Sequence, residues 1–288
     1  MIEYDRTRWY GLIFSFWGTV LPRILGPVGT LTGFCLLLVL FDKFVLRPVD
    51  RALPEMDNIG HAVLGGALSL LIVFRTNTSN QRYWESRSHW GMILNNCRNF
   101  ARMAATYAPP ADEVARLLTA YAVVLKENLR GTRDWNLIRP LVPGRVFEQV
   151  IAAKNPPAFL ARSLSEWVRN RMSEGKLDPR MAMEMERLIN VLVDQQGGCE
   201  KIQKTPLPFV YATLIKQLMF LYLYSLPFVL ASKLGYAAPL VVAVVGLGMM
   251  GIEEAGVEIE NPFGLDPNNL PLEKICETIA GDVKDLTQ

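Results

Sequence analysis

The sequence predicts an all-α membrane protein with four membrane-spanning helices per subunit and a helical cytoplasmic region. Three observations support this fold class. Half of the 288 residues are hydrophobic, and they cluster along the chain. Four stretches without charged residues lie as two pairs on either side of a charged block. Within that block the apolar residues recur with a 3.6-residue period, and the alternation typical of strands is nearly absent.

The four uncharged stretches are residues 24–41, 58–74, 217–232 and 234–252. Each approaches the roughly 20 residues that a helix needs to cross the hydrocarbon core of a bilayer. A spanning segment of this kind has to be helical, because lipid offers no partner for unpaired backbone groups. A buried helix of a soluble protein can reach the same length, but four such stretches in two pairs favour the membrane.

The charges around these stretches predict the topology. Arg75, Arg82 and Arg87 follow the second stretch, and the positive-inside rule places that side in the cytoplasm. Four spans then put both termini in the cytoplasm as well. We expect five segments: an N-terminal cytoplasmic segment (1–23), a first transmembrane hairpin (24–74), a helical cytoplasmic region (75–210), a second transmembrane hairpin (211–252) and a cytoplasmic tail (253–288).

Composition argues against several other classes of protein. A formal net charge of +2 does not suggest a nucleic-acid partner. The four cysteines stand far apart, without the short spacing of a zinc or redox motif. His61 and His89 have no nearby residues that would complete a catalytic or metal-ligand pattern, and a packed role is expected for His61. We therefore expect no enzymatic activity, no cofactor and no bound metal.

A cluster of four glutamates follows the last uncharged stretch, between residues 253 and 260. Carboxylates in this position could bind an ion, or they could pair with nearby arginines. We favour an ion-pair network with Arg75 and Arg82, which follow the second stretch.

Five short motifs stand in order over nearly the whole chain: FRTN at 74–77, RYWE at 82–85, GCE at 198–200, TPLPFVY at 205–211 and ENPFG at 260–264. They resemble motifs of the bestrophin family, and of its bacterial branch in particular. The opening segment, with Trp9 and Gly18, also fits. The resemblance implies a homopentamer around one central pore, a second helix that lines a narrow hydrophobic neck, and a cytoplasmic region that narrows again at its inner end.

Counting from Gly65, the family pattern implies that Val63, Ala67 and Leu71 form the pore neck. Residues four apart share one face of a helix, as a pore-lining stripe requires. Gly65 and the glycine after it are expected to permit close helix packing. Two alternatives remain open: the face could contact lipid or another helix, or the pore could be lined by the adjacent stripe of Leu64, Leu68 and Ile72.

Counting back from the GCE motif, the resemblance implies that Arg180 forms the cytoplasmic aperture. A ring of arginines favours anions, because arginine keeps its charge at neutral pH. A shift of one residue would place Met181 in the ring, and Arg180 could instead pair with Glu184 one turn on.

After the ENPFG motif the acidic run that holds calcium in animal relatives is interrupted, so we expect no calcium gating.

The sequence thus predicts a pentameric bestrophin-like channel in the bacterial inner (plasma) membrane. It would pass small monovalent ions passively, with chloride and other anions favoured. Its expected partners are four further copies of the chain, the lipid bilayer and the permeant ions. The alternatives are a monovalent cation channel of the same architecture and a non-conducting membrane scaffold. A membrane enzyme or transporter would need polar groups inside the spans, and these are nearly absent.

Overall fold

The computed structural model describes residues 5, 7, 9–54 and 56–288, and no strand occurs among them. The all-α prediction is therefore confirmed for this part of the chain. The α-helices of the described residues are α1 (Trp9–Ile13), α2 (Leu21–Phe41), α3 (Asn58–Tyr107), α4 (Asp112–Arg130), α5 (Gly144–Ala152), α6 (Pro156–Ser173), α7 (Pro179–Lys204), α8 (Phe209–Leu234), α9 (Ala238–Glu260) and α10 (Leu272–Thr287).

The chain divides into two compact units. The first, called here the apolar unit, comprises residues 9–81 and Leu207–Glu260. The second, called here the charged unit, comprises Arg82–Pro206 and Asn261–Gln288. Helix α3 contributes residues to both. The C-terminal helix α10 belongs to the charged unit because it packs against α4.

The apolar unit holds the candidate membrane spans. Three helical stretches of the described chain are long and apolar enough to cross a bilayer: Leu21–Val49, Asn58–Tyr107 and Phe209–Glu260. The third contains α8 and α9, which are joined by a single 3-10 turn at Gly235–Ala237. Gly235 adopts a φ of +52°, which is readily accessible only to glycine. The uncharged stretches of the sequence thus fall on α2, α3, α8 and α9.

All four of these helices contribute to one core. Leu31 of α2, Leu68 of α3, Leu223 of α8 and Val242 of α9 are fully or almost fully buried within it. Helix α2 approaches α9 closely at Gly246, where an added Cβ would lie 3.0 Å from Cδ2 of Leu31. Small residues allow this kind of approach between helices in lipid, where packing rather than water exclusion drives association.

The charged unit has its own core around α4. The hydroxyl of Tyr121, on α4, donates a hydrogen bond of 2.8 Å to the carbonyl of Leu192 on α7. Helix α10 is tied to α4 by an ion pair between Arg130 and Glu273. The hydrogen bond from Arg130 lowers the pKa of Glu273 to about 2, well below the usual value for a glutamate.

The ENPFG motif forms a tight loop between α9 and α10. Phe263 and Leu270 are buried in the core of the charged unit, and the amide of Leu270 donates to the carbonyl of Pro262 at 2.9 Å. A Cβ on Gly264 would lie 2.5 Å from Nδ2 of Asn269. The motif therefore has a structural role, since a larger residue at position 264 would displace the side chain of Asn269 from this turn.

Candidate pore-lining site

One face of α3 packs into the apolar unit. His61, Gly65, Leu68 and Ile72 are buried on this face. They recur three or four residues apart, which is the spacing of a single helix face. Because Leu68 and Ile72 lie in the core, the alternative stripe of Leu64, Leu68 and Ile72 is not available to line a pore.

The contact between α3 and α8 is centred on Tyr222. A Cβ on Gly65 would lie 2.7 Å from the Tyr222 hydroxyl, so a larger residue there would displace the Tyr222 ring, and the close packing predicted for Gly65 is confirmed. The ring of His61 stacks on Tyr222 with centroids 4.2 Å apart, and its Nε2 lies 3.1 Å from Oγ of Ser225. His61 therefore has the packed role expected of it. Gly66 is exposed, and a Cβ there would meet no atom within 4 Å.

The opposite face of α3 is apolar and exposed within the protomer. Val63 is 68% exposed, and Ala67 is also exposed. Leu71, the third residue predicted for the neck, is half-buried and packs against the core of the apolar unit. Ile59, one turn before Val63, is 75% exposed. In this stripe of residues spaced four apart, Ile59, Val63 and Ala67 are exposed, whereas Leu71 is partly covered by the core of its own unit.

A buried ion-pair network lies at the end of the apolar part of α3. Arg75 is 3% exposed and pairs with Glu253, which is 4% exposed. It also lies 3.4 Å from Oε2 of Glu260. Lys216 of α8 lies 3.7 Å from Oε1 of the same Glu253. The predicted pairing of Arg75 with the glutamate cluster is therefore confirmed, and it joins α3, α8 and α9.

Arg82 belongs to the charged unit and binds the end of α7. It donates hydrogen bonds to the backbone carbonyls of Ile202, at 2.7 Å, and of Thr205. These carbonyls belong to the last turn of α7 and the residue that follows it. A helix leaves its final carbonyls without internal partners, and an arginine is well suited to satisfy them.

Arg180 lies at the start of α7. The side chain of Asp178 caps this helix by accepting a 2.8 Å hydrogen bond from the amide of Arg180. The Arg180 side chain is exposed. Glu184, considered as its partner, pairs instead with Arg187 at 2.7 Å. Met181 is half-buried against the core of the charged unit. Of the two aperture candidates, Arg180 is therefore the exposed one.

The neck candidates belong to the apolar unit and the aperture candidates to the charged unit. The sequence analysis did not include Ile59 among the neck residues, although Ile59 lies four residues before Val63 and therefore continues the same stripe. In the part of the chain that the structure describes, no group of three or more His, Cys, Asp or Glu side chains is arranged to hold a metal ion.

An all-helical fold with long apolar helices defines a helical membrane protein, and comparisons with known proteins identify its family. A family model described as bacterial/fungal bestrophin protein matches residues 1–285. The chain belongs to the bestrophin family.

Several curated relatives are similar over nearly their whole length. A voltage-dependent anion channel-forming protein of Synechocystis sp. is 35% identical over 288 residues, which cover 97% of this chain and 92% of the relative. A protein of the same description from Nostoc sp. is 34% identical over 290 residues, which cover 98% of this chain and 92% of the relative. Among solved structures, a bacterial bestrophin homologue from Klebsiella pneumoniae superposes with a TM-score of 0.85 at 25% identity, over 92% of this chain and 98% of that one.

Proposed function

We propose that this protein is a bestrophin-like anion channel formed by five copies of the chain. Helices α2, α3, α8 and α9 of each copy cross the membrane, and both termini lie in the cytoplasm. The inner membrane of a bacterium is the expected location, given the family. A channel needs no catalytic residue, and nothing in the described chain calls for one.

The observation that carries this proposal is the exposed apolar stripe on α3. Ile59, Val63 and Ala67 point away from the core of their own protomer, and no charged residue interrupts them. If five copies place this stripe on a common axis, they form a hydrophobic neck. Such a neck gates by dewetting and does not itself select by charge. We assign the neck to these three residues, with Leu71 at its margin.

Selection by charge is assigned to Arg180. Its guanidinium is exposed at the start of α7, and the carboxylate of Glu184 is engaged by Arg187. Five such groups around an axis would attract anions and repel cations. The names of the curated relatives as anion channel-forming proteins support the same selectivity.

The test is a reversal potential in proteoliposomes or planar bilayers. A tenfold gradient of potassium chloride gives about 59 mV for ideal selectivity, with opposite signs for anions and cations. We expect the wild-type protein to reverse near the chloride potential. Arg180→Glu should move the reversal potential toward that of potassium, because five positive charges become five negative ones.

A matched control is Arg145→Glu, which makes the same change of charge at an exposed site on α5, a helix that packs against α6. It should leave the reversal potential unchanged. Reversal of the wild type at the potassium potential would reject the anion channel in favour of the cation channel. Absence of any current would favour the scaffold. An unshifted potential in Arg180→Glu alone would remove Arg180 from the aperture.

A further inference from the structure

A cavity of about 250 Å³ opens on the surface of the apolar unit between α2, α8 and α9. Its walls are apolar and include Ile24, Phe220 and Met250. Its rim is charged and includes Arg23 and Lys216 together with carboxylates from α9. No described residue of α3, the proposed pore helix, lines it. The cavity thus combines an apolar interior with a polar edge on a side of the unit that the pore does not require.

The charged rim lies at the border of the membrane. Arg23 directly precedes the uncharged stretch 24–41, Lys216 directly precedes 217–232, and Glu253 directly follows 234–252. These borders meet at one level, because Arg23 lies 3.4 Å from Glu254 and Lys216 lies 3.7 Å from Glu253. The walls therefore face the acyl chains while the rim faces the headgroups.

The rim carries both signs of charge. Lys216 is about half exposed, and its 3.7 Å separation from Glu253 is longer than a hydrogen bond, so its ammonium can bind a further acceptor. Glu253 is engaged by the buried Arg75. Glu254, on α9, forms part of the rim and is 19% exposed, with the Arg23 guanidinium 3.4 Å from its Oε1. A purely anionic headgroup would have to approach these carboxylates, whereas a zwitterionic one can satisfy both signs.

A second groove extends from the same place along α8. It has a volume of about 520 Å³, and it shares Lys216 and Phe220 with the cavity. Leu221, which also lines it, is 60% exposed. An acyl chain could follow this surface away from the headgroup, because large apolar side chains are exposed along it.

We propose that this cavity binds a phospholipid whose headgroup carries a primary ammonium beside its phosphate, namely phosphatidylethanolamine. Lys216 Nζ donates to the phosphate, and a carboxylate oxygen of Glu254 accepts from the lipid ammonium. The acyl chains pack against Phe220 and Met250. The proposal requires only that α2, α8 and α9 lie in a membrane, and it stands or falls independently of ion conduction.

The experiment is native mass spectrometry of the full-length protein in detergent, offered equal amounts of phosphatidylethanolamine, phosphatidylcholine and phosphatidylglycerol. The wild type should retain phosphatidylethanolamine several-fold more than phosphatidylcholine, whose quaternary ammonium has no N–H to donate. Lys216→Gln should lower that occupancy roughly fivefold to tenfold, because a charge-assisted hydrogen bond is lost. Lys216→Arg keeps the charge and should retain the lipid.

Two further variants sharpen the test. Lys233→Gln removes a lysine that is also exposed, at the other end of α8, and should not change lipid retention. Glu254→Gln should shift the preference toward phosphatidylglycerol, because the rim then becomes more positive. Equal retention of phosphatidylethanolamine and phosphatidylcholine by the wild type, equal effects of Lys216→Gln and Lys233→Gln, or a wild-type preference for phosphatidylglycerol would each overturn the proposal. Assembly mass and melting temperature verify that each variant is folded.

Discussion

Replacing Arg75 with methionine tests the buried network at the end of the apolar part of α3. Arg75 and Glu253 are 3% and 4% exposed, and the two side chains are paired. Methionine preserves much of the volume of the arginine stem but removes its charge. Glu253 would then be left buried, and the nearest remaining cation would be Lys216 at 3.7 Å.

The size of the effect follows from this geometry. Removing one partner of a buried ion pair costs about 3–5 kcal/mol, because the other charge is left without compensation. Lys216 offsets part of that cost, since it already lies near Glu253. The second contact of Arg75, to Glu260 at 3.4 Å, involves a carboxylate that is 19% exposed, so water compensates part of its loss. We therefore expect Arg75→Met to lower the free energy of unfolding by about 3 kcal/mol, the lower end of the range for a broken buried ion pair.

The assay is reversible unfolding in mixed detergent micelles, arranged as a double-mutant cycle with Glu253→Gln. Because the double variant leaves no buried unpaired charge, it should lose less than the sum of the two single losses, with a coupling energy of about 2–3 kcal/mol. The control Arg102→Met removes an exposed arginine from the same helix and should change stability by no more than about 0.5 kcal/mol. Equal losses for Arg75→Met and Arg102→Met, or additive losses in the cycle, would refute the reasoning.

Two further predictions concern the neck and the charged unit. In single-channel recordings Ala67→Phe should lower the conductance, because the larger side chain narrows the neck. Ile59→Ala should raise the conductance more than Leu71→Ala does, because Leu71 is half-buried. A larger effect at Leu71 would contradict the assignment of Ile59 to the neck. Gly198→Ala should destabilise the protein by about 1–3 kcal/mol, because its Cβ would lie 2.3 Å from Cε1 of His89. Gly197→Ala, where the space is open, should be neutral or stabilising, and equal melting temperatures for the two variants would contradict this account.

Hydropathy predicted the positions of the apolar helices but not their full extent. The second uncharged stretch ends at Phe74 because charged residues follow it, whereas α3 continues to Tyr107. A hydropathy boundary marks the end of the apolar surface, and nothing in the backbone requires the helix to stop there. The segment from Arg75 to Tyr107 contains no proline, and the helix continues through it although many of its residues are weak helix formers.

Side-chain roles were predictable where one residue type allows few alternatives. Close packing was predicted for Gly65 and Gly66 and is found at Gly65, while Gly66 is exposed. The predicted pairing of Arg75 with the glutamates after the last uncharged stretch is found at Glu253. The face of α3 was harder to assign, because the stripes of Val63 and of Leu68 are both apolar in sequence. The packing of α8 and α9 against α3 separates the exposed stripe from the buried one, and it depends on residues more than about 150 positions away in the chain, such as Tyr222 and Gly256.

The seating of Tyr222 against Gly65 also limits how the channel can move. Turning α3 about its own axis by one residue, about 100°, would unstack His61 from the Tyr222 ring. In one direction it would also bring the side chain of Leu64 into the space that this ring occupies, whereas the opposite turn would present Gly66, which has no side chain. In the proposed channel, rotation of α3 is therefore a costly way to open the pore. Widening of the neck is expected to come from tilting or outward displacement of α3 and α8 as a pair, with the same side chains facing the axis in the open and the closed states.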